Sequence, residues 1–132
     1  MPKFYSSKEV ARLCRVSLRQ LQYWDEGGLT KPEFHEGAGG FGHKRAYSRE
    51  EVIRVDLIAQ LRRKSIPFQQ VKRLKKYLLQ SPPGRELLVV SAKVKATAMW
   101  CNPAEAIAAA ANASSGVFVV QRKRVEVAEE ED

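Results

Sequence analysis

Apolar residues recur along the first eighty positions of this chain in short stripes, and the same polar punctuation precedes several of them. A tyrosine or valine, a serine, two further residues and then Glu or Gln occur three times: Tyr5-Ser6-Ser7-Lys8-Glu9, Val16-Ser17-Leu18-Arg19-Gln20 and Tyr47-Ser48-Arg49-Glu50-Glu51. In a capping box the serine hydroxyl accepts the N3 amide, the N3 Glu or Gln reaches back to the serine N–H, and the preceding apolar residue packs on N4. The N4 partners here are Val10, Leu21 and Val52. Three helix starts are therefore expected.

The first helix should run from Lys8 to Cys14, because Val10, Ala11, Leu13 and Cys14 share one face. After Arg15-Val16-Ser17 a second helix should cover Leu18 to Glu26, burying Leu18 and Leu21 and presenting Arg19, Gln22 and Tyr23. It should end at Gly27-Gly28, where glycine takes the left-handed conformation. Two starts only eleven positions apart leave room for a helix, a tight turn and a second helix, a motif that reads DNA. From Thr30 to Ala46 the composition shifts to Pro32, four glycines between 37 and 42 and two histidines, so a hairpin is expected. Glu33-Phe34-His35 and Lys44-Arg45-Ala46-Tyr47 would be its strands. Placed after a helix-turn-helix, it would be a wing.

A third helix after Ser48 carries Val52, Ile53, Val55, Leu57, Ile58 and Leu61 and belongs in the core. A fourth opens at Pro67 with Phe68, Val71, Leu74 and Leu78 inside, and stops at Ser81-Pro82-Pro83-Gly84. Beyond that break, Leu87 to Val90 and the alternation Val94, Ala96, Ala98, Trp100 predict two strands. Asn102-Pro103-Ala104-Glu105 is a further capping box with proline at N1, opening an alanine-rich helix that should stop near Ser114 to Gly116. Val117 to Val120, extending toward Val127, would be a third strand, and residues 129–132 an acidic tail. The fold class expected is mainly α (α+β): a winged helix-turn-helix with two further helices over 1–80, a Pro/Gly break at 81–86, and a small ββαβ module over 87–128.

Charge sharpens this picture. The chain of 132 residues carries a net charge of +8, distributed as +9 over residues 1–80 and −1 over 81–132. A segregated basic half favours a polyanion such as nucleic acid. No stretch approaches the roughly 18 apolar residues of a membrane span, and the first residues lack the apolar run of a secretory signal, so a cytoplasmic protein without membrane association is expected. Cys14 and Cys101 have no zinc-ligand or disulfide spacing; Cys14 reads as a core residue, and Cys101 would act as a reactive thiol only in an electropositive setting. Gly37-Ala38-Gly39-Gly40-Phe41-Gly42 matches G-x-G-x-x-G but lacks the strand before and helix after that a dinucleotide site needs. His35 and His43 have no carboxylate or cysteine company. No metal, small-molecule cofactor or enzymatic activity is expected.

Residues 5–80 as a whole resemble the winged helix-turn-helix domain of the MerR family of bacterial transcription regulators. The resemblance rests on Tyr5 to Leu13, Val16 to Asp25, Gly28-Leu29 with Pro32, Arg45-Ala46-Tyr47-Ser48, and Leu61-Arg62 followed by Ile66 and Val71, in that order and spacing. It implies that the second helix enters the major groove, that Arg19 and Tyr23 contact phosphate or base edges, and that Arg45 in the wing contacts backbone or minor groove. Gln22 stands where the family commonly has arginine, and Trp24 where it has a second tyrosine. Gln22 can pair with adenine, whereas Trp24 suits the core. The DNA-contacting set expected is Ser17, Arg19, Gln22, Tyr23, His43, Lys44, Arg45, Arg62 and Arg63.

Typical members continue into a long helix that pairs with a second subunit, where this sequence has two prolines. The strand-rich tail is expected to serve as a homodimer or protein-partner surface, since three short strands leave edges to be covered. The expectation is a double-stranded DNA-binding regulator at the bacterial nucleoid. An excisionase-like architectural factor and a DNA-localised adaptor remain as alternatives.

Overall fold

In a computed structural model of the chain, residues 4–36, 44–91, 96–111 and 117–122 are described, with 34–36 and 44 by their backbone alone. His43, the glycine-rich motif at 37–42, Val94, the expected stop of the alanine-rich helix and the acidic tail lie outside the described residues. The described residues form two compact units, one within 1–59 and the other within 60–123, and the division falls inside the third helix.

The first unit opens with β1 (Tyr5–Ser6), α1 (Ser7–Cys14) and α2 (Leu18–Glu26), followed by β2 (Phe34–Glu36), β3 (Lys44–Tyr47) and most of α3 (Arg49–Arg63). Local chemistry sets the helix starts. Ser6 Oγ accepts from Glu9 N–H at 3.1 Å while Glu9 Oε1 accepts from Ser6 N–H at 3.0 Å. Ser17 and Gln20 repeat the exchange, with both bonds at 3.0 Å. Three residues join α1 to α2. Arg15 adopts a left-handed conformation (φ 58°), and Val16 N–H returns to Ala11 C=O at 3.0 Å. At the far end of α2 the left-handed residue is Gly28 (φ 78°), and Leu29 N–H reaches Trp24 C=O at 2.9 Å, with the Leu29 side chain buried.

The third capping phrase behaves differently. Ser48 Oγ accepts Glu51 N–H at 3.2 Å, but the Glu51 carboxylate does not turn back to the serine. One oxygen accepts Lys31 N–H at 2.7 Å and the other Arg54 at 2.7 Å. A buried carboxylate beside a chain N–H and a guanidinium does better with those partners than with a weak local bond, and it ties the segment after α2 to the start of α3.

β1 was not legible as a strand. It pairs antiparallel with β3, placing Tyr5 opposite Tyr47, so the residues that precede the capping serines of α1 and α3 lie side by side. Both are already extended and both rings are buried. β2 pairs on the other edge of β3, giving the order β1-β3-β2. The core of this unit holds Val10, Cys14, Leu21, Trp24, Leu29, Tyr47, Val52, Ile53, Val55, Leu57 and Ile58. Leu18 does not join it: 47% of its surface is exposed. At the first position of α2 the apolar stripe has run off the end of the core, and the leucine borders an open groove instead.

The second unit contains the end of α3, α4 (Phe68–Leu74) with a 3-10 turn over Lys75–Tyr77, then β4 (Leu87–Ser91), β5 (Thr97–Cys101), α5 (Pro103–Ala111) and β6 (Val117–Gln121). β4 is central, with β5 and β6 both antiparallel to it. Alternation along the strands sends Leu88, Val90 and Val120 to one face, all buried, while Val89 and Cys101 face the other and pack with Ala106 of α5. Side-chain amides and an indole close the backbone on the helical side. Gln60 bonds both N–H and C=O of Gln121, at 3.1 and 2.7 Å; Gln70 accepts Ala96 N–H at 2.9 Å; Trp100 Nε1–H donates to Tyr77 C=O at 2.7 Å. The capping box of α5 forms as expected, Glu105 N–H to Asn102 Oδ1 at 2.8 Å and Asn102 N–H to Glu105 Oε1 at 2.9 Å.

Candidate nucleic-acid interface

Two buried residues, Leu21 and Trp24, fix one side of α2 in the core of the first unit. At 100° per residue that choice leaves Arg19, Gln22, Tyr23 and Glu26 on the outward arc, and all four are exposed, Tyr23 at 61%. The burial of Trp24 agrees with its reading as a core residue. Ser17 is engaged by its capping exchange with Gln20, so its contribution is to hold the first turn of α2 rigidly. Gln22 Nε2–H donates to Glu26 Oε2 at 3.0 Å, one turn along the same exposed strip.

Behind this strip lies a polar knot centred on Asp25, whose side chain is 5% exposed. One carboxylate oxygen accepts from Thr30 Oγ1–H; the other accepts from Tyr47 O–H at 2.5 Å and pairs with Arg45 Nε at 3.3 Å. Burial, and then the bond to Asp25, push the Tyr47 hydroxyl well above the usual tyrosine range, so it remains a donor. Arg45 is thereby anchored through Nε, with its side chain 15% exposed, and it shares with Ser7, Leu18, Leu21 and Gln22 the wall of a groove of about 250 Å³. The knot joins α2, the segment after it and β3, which positions the two-stranded pair relative to α2 within the unit.

Of the expected site residues, the structure thus brings Ser17, Arg19, Gln22 and Tyr23 onto one helix, and Gln22 and Arg45 to one groove. Lys44 begins β3 with its backbone opposite Glu36. Arg62 and Arg63 belong to the second unit, where Arg62 donates to Ile66 C=O at 2.7 Å and so closes the turn after α3, which includes a left-handed Ser65. Sequence reasoning missed Asp25, Thr30 and Glu26. The Gln22–Glu26 spacing of i, i+4 was a legible signal; Asp25 carried none, because Tyr47 and Arg45 lie twenty or more residues away. Cys101 is buried, and burial raises its thiol pKa, the direction opposite to that of an activated cysteine. No group of three or more metal-ligating side chains occurs among the described residues, and no helix among them is long and apolar enough to cross a membrane.

Residues 5–78, more than half the chain, match the family model described as MerR HTH family regulatory protein. Among curated proteins, the chain is 31% identical over 70 residues to the multidrug-efflux transporter 1 regulator of Bacillus subtilis, covering 53% of this chain and 24% of that protein. It is 35% identical over 68 residues to the HTH-type transcriptional regulator SkgA of Caulobacter vibrioides, covering 52% of this chain and 25% of that one. The chain therefore spans about a quarter of the length of these relatives.

Proposed function

Since the chain belongs to the MerR helix-turn-helix regulatory family, we propose that it is a sequence-specific double-stranded DNA-binding transcriptional regulator whose helix α2 enters the major groove. The observation that carries this reading is the exposed strip of Arg19, Gln22 and Tyr23 on a helix held by its capping box and by Leu21 and Trp24. Guanidinium, amide and phenol at this spacing suit phosphate oxygens and base edges. The β2–β3 pair acts as the wing. Arg45, anchored at Nε by Asp25, offers its terminal N–H groups to the flanking backbone, and Lys44 and His43, its neighbours in the sequence, are proposed as further contacts. In the second unit, Arg62 and Arg63 are proposed as phosphate contacts of their own.

The second unit provides the self-association surface. Met99, Ile107 and Val119 are large apolar residues left exposed there, Ile107 at 71%. Gel filtration across a concentration series checks this assignment: a species that remains monomeric at the highest concentration removes it.

DNA reading is tested by titrating the purified protein against fragments from its own upstream region and against scrambled duplex, over a range of salt, for wild type and Arg19→Ala. Specific binding that weakens with salt and loses about 1–3 kcal/mol in the variant is the expected result. Equal binding to both duplexes with Arg19 silent would replace it with an architectural role, in which backbone contact and DNA bending dominate.

A further inference from the structure

The Gln22–Glu26 contact on the outward strip of α2 restricts what Gln22 can read. A glutamine side chain has two chemically different ends, and in free rotation either can face a base. A carboxylate has no hydrogen to give, so only the –NH₂ end of Gln22 can face Glu26, as the 3.0 Å Nε2···Oε2 contact has it. Oε1 and the second N–H are then the groups left for a partner outside the pair. In the major groove adenine shows the N6 donor beside the N7 acceptor, which that pair matches. Guanine shows two acceptors, O6 and N7, and would set its O6 against Oε1.

We infer that Glu26 is a positioning residue that locks the side-chain amide of Gln22 in the orientation that reads adenine and rejects guanine. This rests on the reading of α2 as the DNA-contacting helix. Glu26 acts through Gln22 rather than on the base. Its own charge faces the same way as the strip and opposes phosphate approach regardless of sequence, so affinity alone does not report the lock; base preference does.

The experiment is selection from a randomised duplex library with the full chain, for wild type, Gln22→Ala, Glu26→Ala, Glu26→Gln and the Gln22→Ala/Glu26→Ala pair, followed by competition binding of the best duplex against its single-base changes. The position read by Gln22 is the one whose preference disappears in Gln22→Ala. Wild type should prefer adenine there over guanine by on the order of tenfold. Glu26→Ala should collapse that ratio while leaving preferences elsewhere intact. Glu26→Gln keeps side-chain size and helix propensity but can face Gln22 with either end, so it should relax the ratio as well; a merely structural Glu26 would leave it unchanged. In the double variant the loss of Glu26 should add nothing to the loss of Gln22. A wild-type preference for guanine at that position, or an adenine preference that survives both Glu26 variants, overturns the inference while DNA reading stands. If wild type selects no motif at all, sequence reading by α2 fails, and this inference with it.

Discussion

Two carboxylates, one in each unit, make similar sets of bonds in opposite surroundings. Asp25 in the first unit binds two hydroxyls and an arginine with its side chain 5% exposed. Glu105 in the second takes the Arg85 guanidinium in a two-pronged contact, at 2.8 and 3.1 Å, and an N-cap amide besides, with its side chain 41% exposed. By bond geometry the exposed pair is the better one, since Arg45 meets Asp25 only at 3.3 Å. Burial reverses the ranking. In water an ion pair replaces hydration that was nearly as favourable, whereas inside the protein the loss of one partner leaves the others desolvated and unpaired. The buried carboxylate joins α2 to β3; the exposed one trims the start of α5.

The sharpest way to break this contrast is Asp25→Ala, which strands the Tyr47 and Thr30 hydroxyls and the Arg45 guanidinium together. Stability should fall by roughly 3–5 kcal/mol in urea unfolding, and Asp25→Asn, which keeps one acceptor oxygen for one of the hydroxyls and turns an NH₂ group to the other position, should cost less. A loss no larger than that of a surface substitution would mean that the knot does not hold β3 to α2.

Tyr47→Phe comes next, at about 1–2 kcal/mol at neutral pH, because it removes one donor and leaves Asp25 with the rest. This residue also carries a pH signature. Its folded pKa lies above the ordinary value of 10.0, so the stability it contributes is fully present below pH 10 and drains away as pH rises toward the folded value. Wild type should therefore lose stability above pH 10 with a slope that Tyr47→Phe lacks, as followed by circular dichroism in an alkaline series.

In the second unit, Asn102→Ala removes the cap acceptor of α5 and should cost about 1 kcal/mol, read from the urea midpoint. Arg85→Ala should produce the smallest effect of all: no measurable change in that midpoint, at low salt or high. A clear destabilisation by Arg85→Ala would show that exposure is not what separates the two carboxylates.

Helix starts were readable because a capping box is complete within four residues. Ser6, Ser17 and Asn102 each satisfy a donor three positions on, whatever the rest of the chain does. The same locality made the outward strip of α2 readable, since Arg19, Gln22 and Tyr23 share an arc once Leu21 is inside. Ser48 marks where locality stops: its hydroxyl behaves as the pattern predicts, but Glu51 prefers Lys31, twenty residues back. Leu18 fails for a related reason, because periodicity says which residues share a face and not how far the core extends along it.

Sequence by itself determined the helix order, the two tight ends at Arg15–Val16 and Gly27–Gly28, the positions of the later strands and the family to which residues 5–78 belong. Those features depend on bonds of short span and on the alternation of side chains along one element. Tertiary structure alone decided that Asp25 would be the centre of the first unit's polar knot, that Tyr5 would pair with Tyr47, and that Gln60 would close the backbone of Gln121. Thr30 apart, which lies five residues from Asp25, the partners in these cases are from about twenty to about sixty residues apart. A buried polar group takes whichever partner the fold brings within 3 Å, and nothing in the local sequence names that partner in advance.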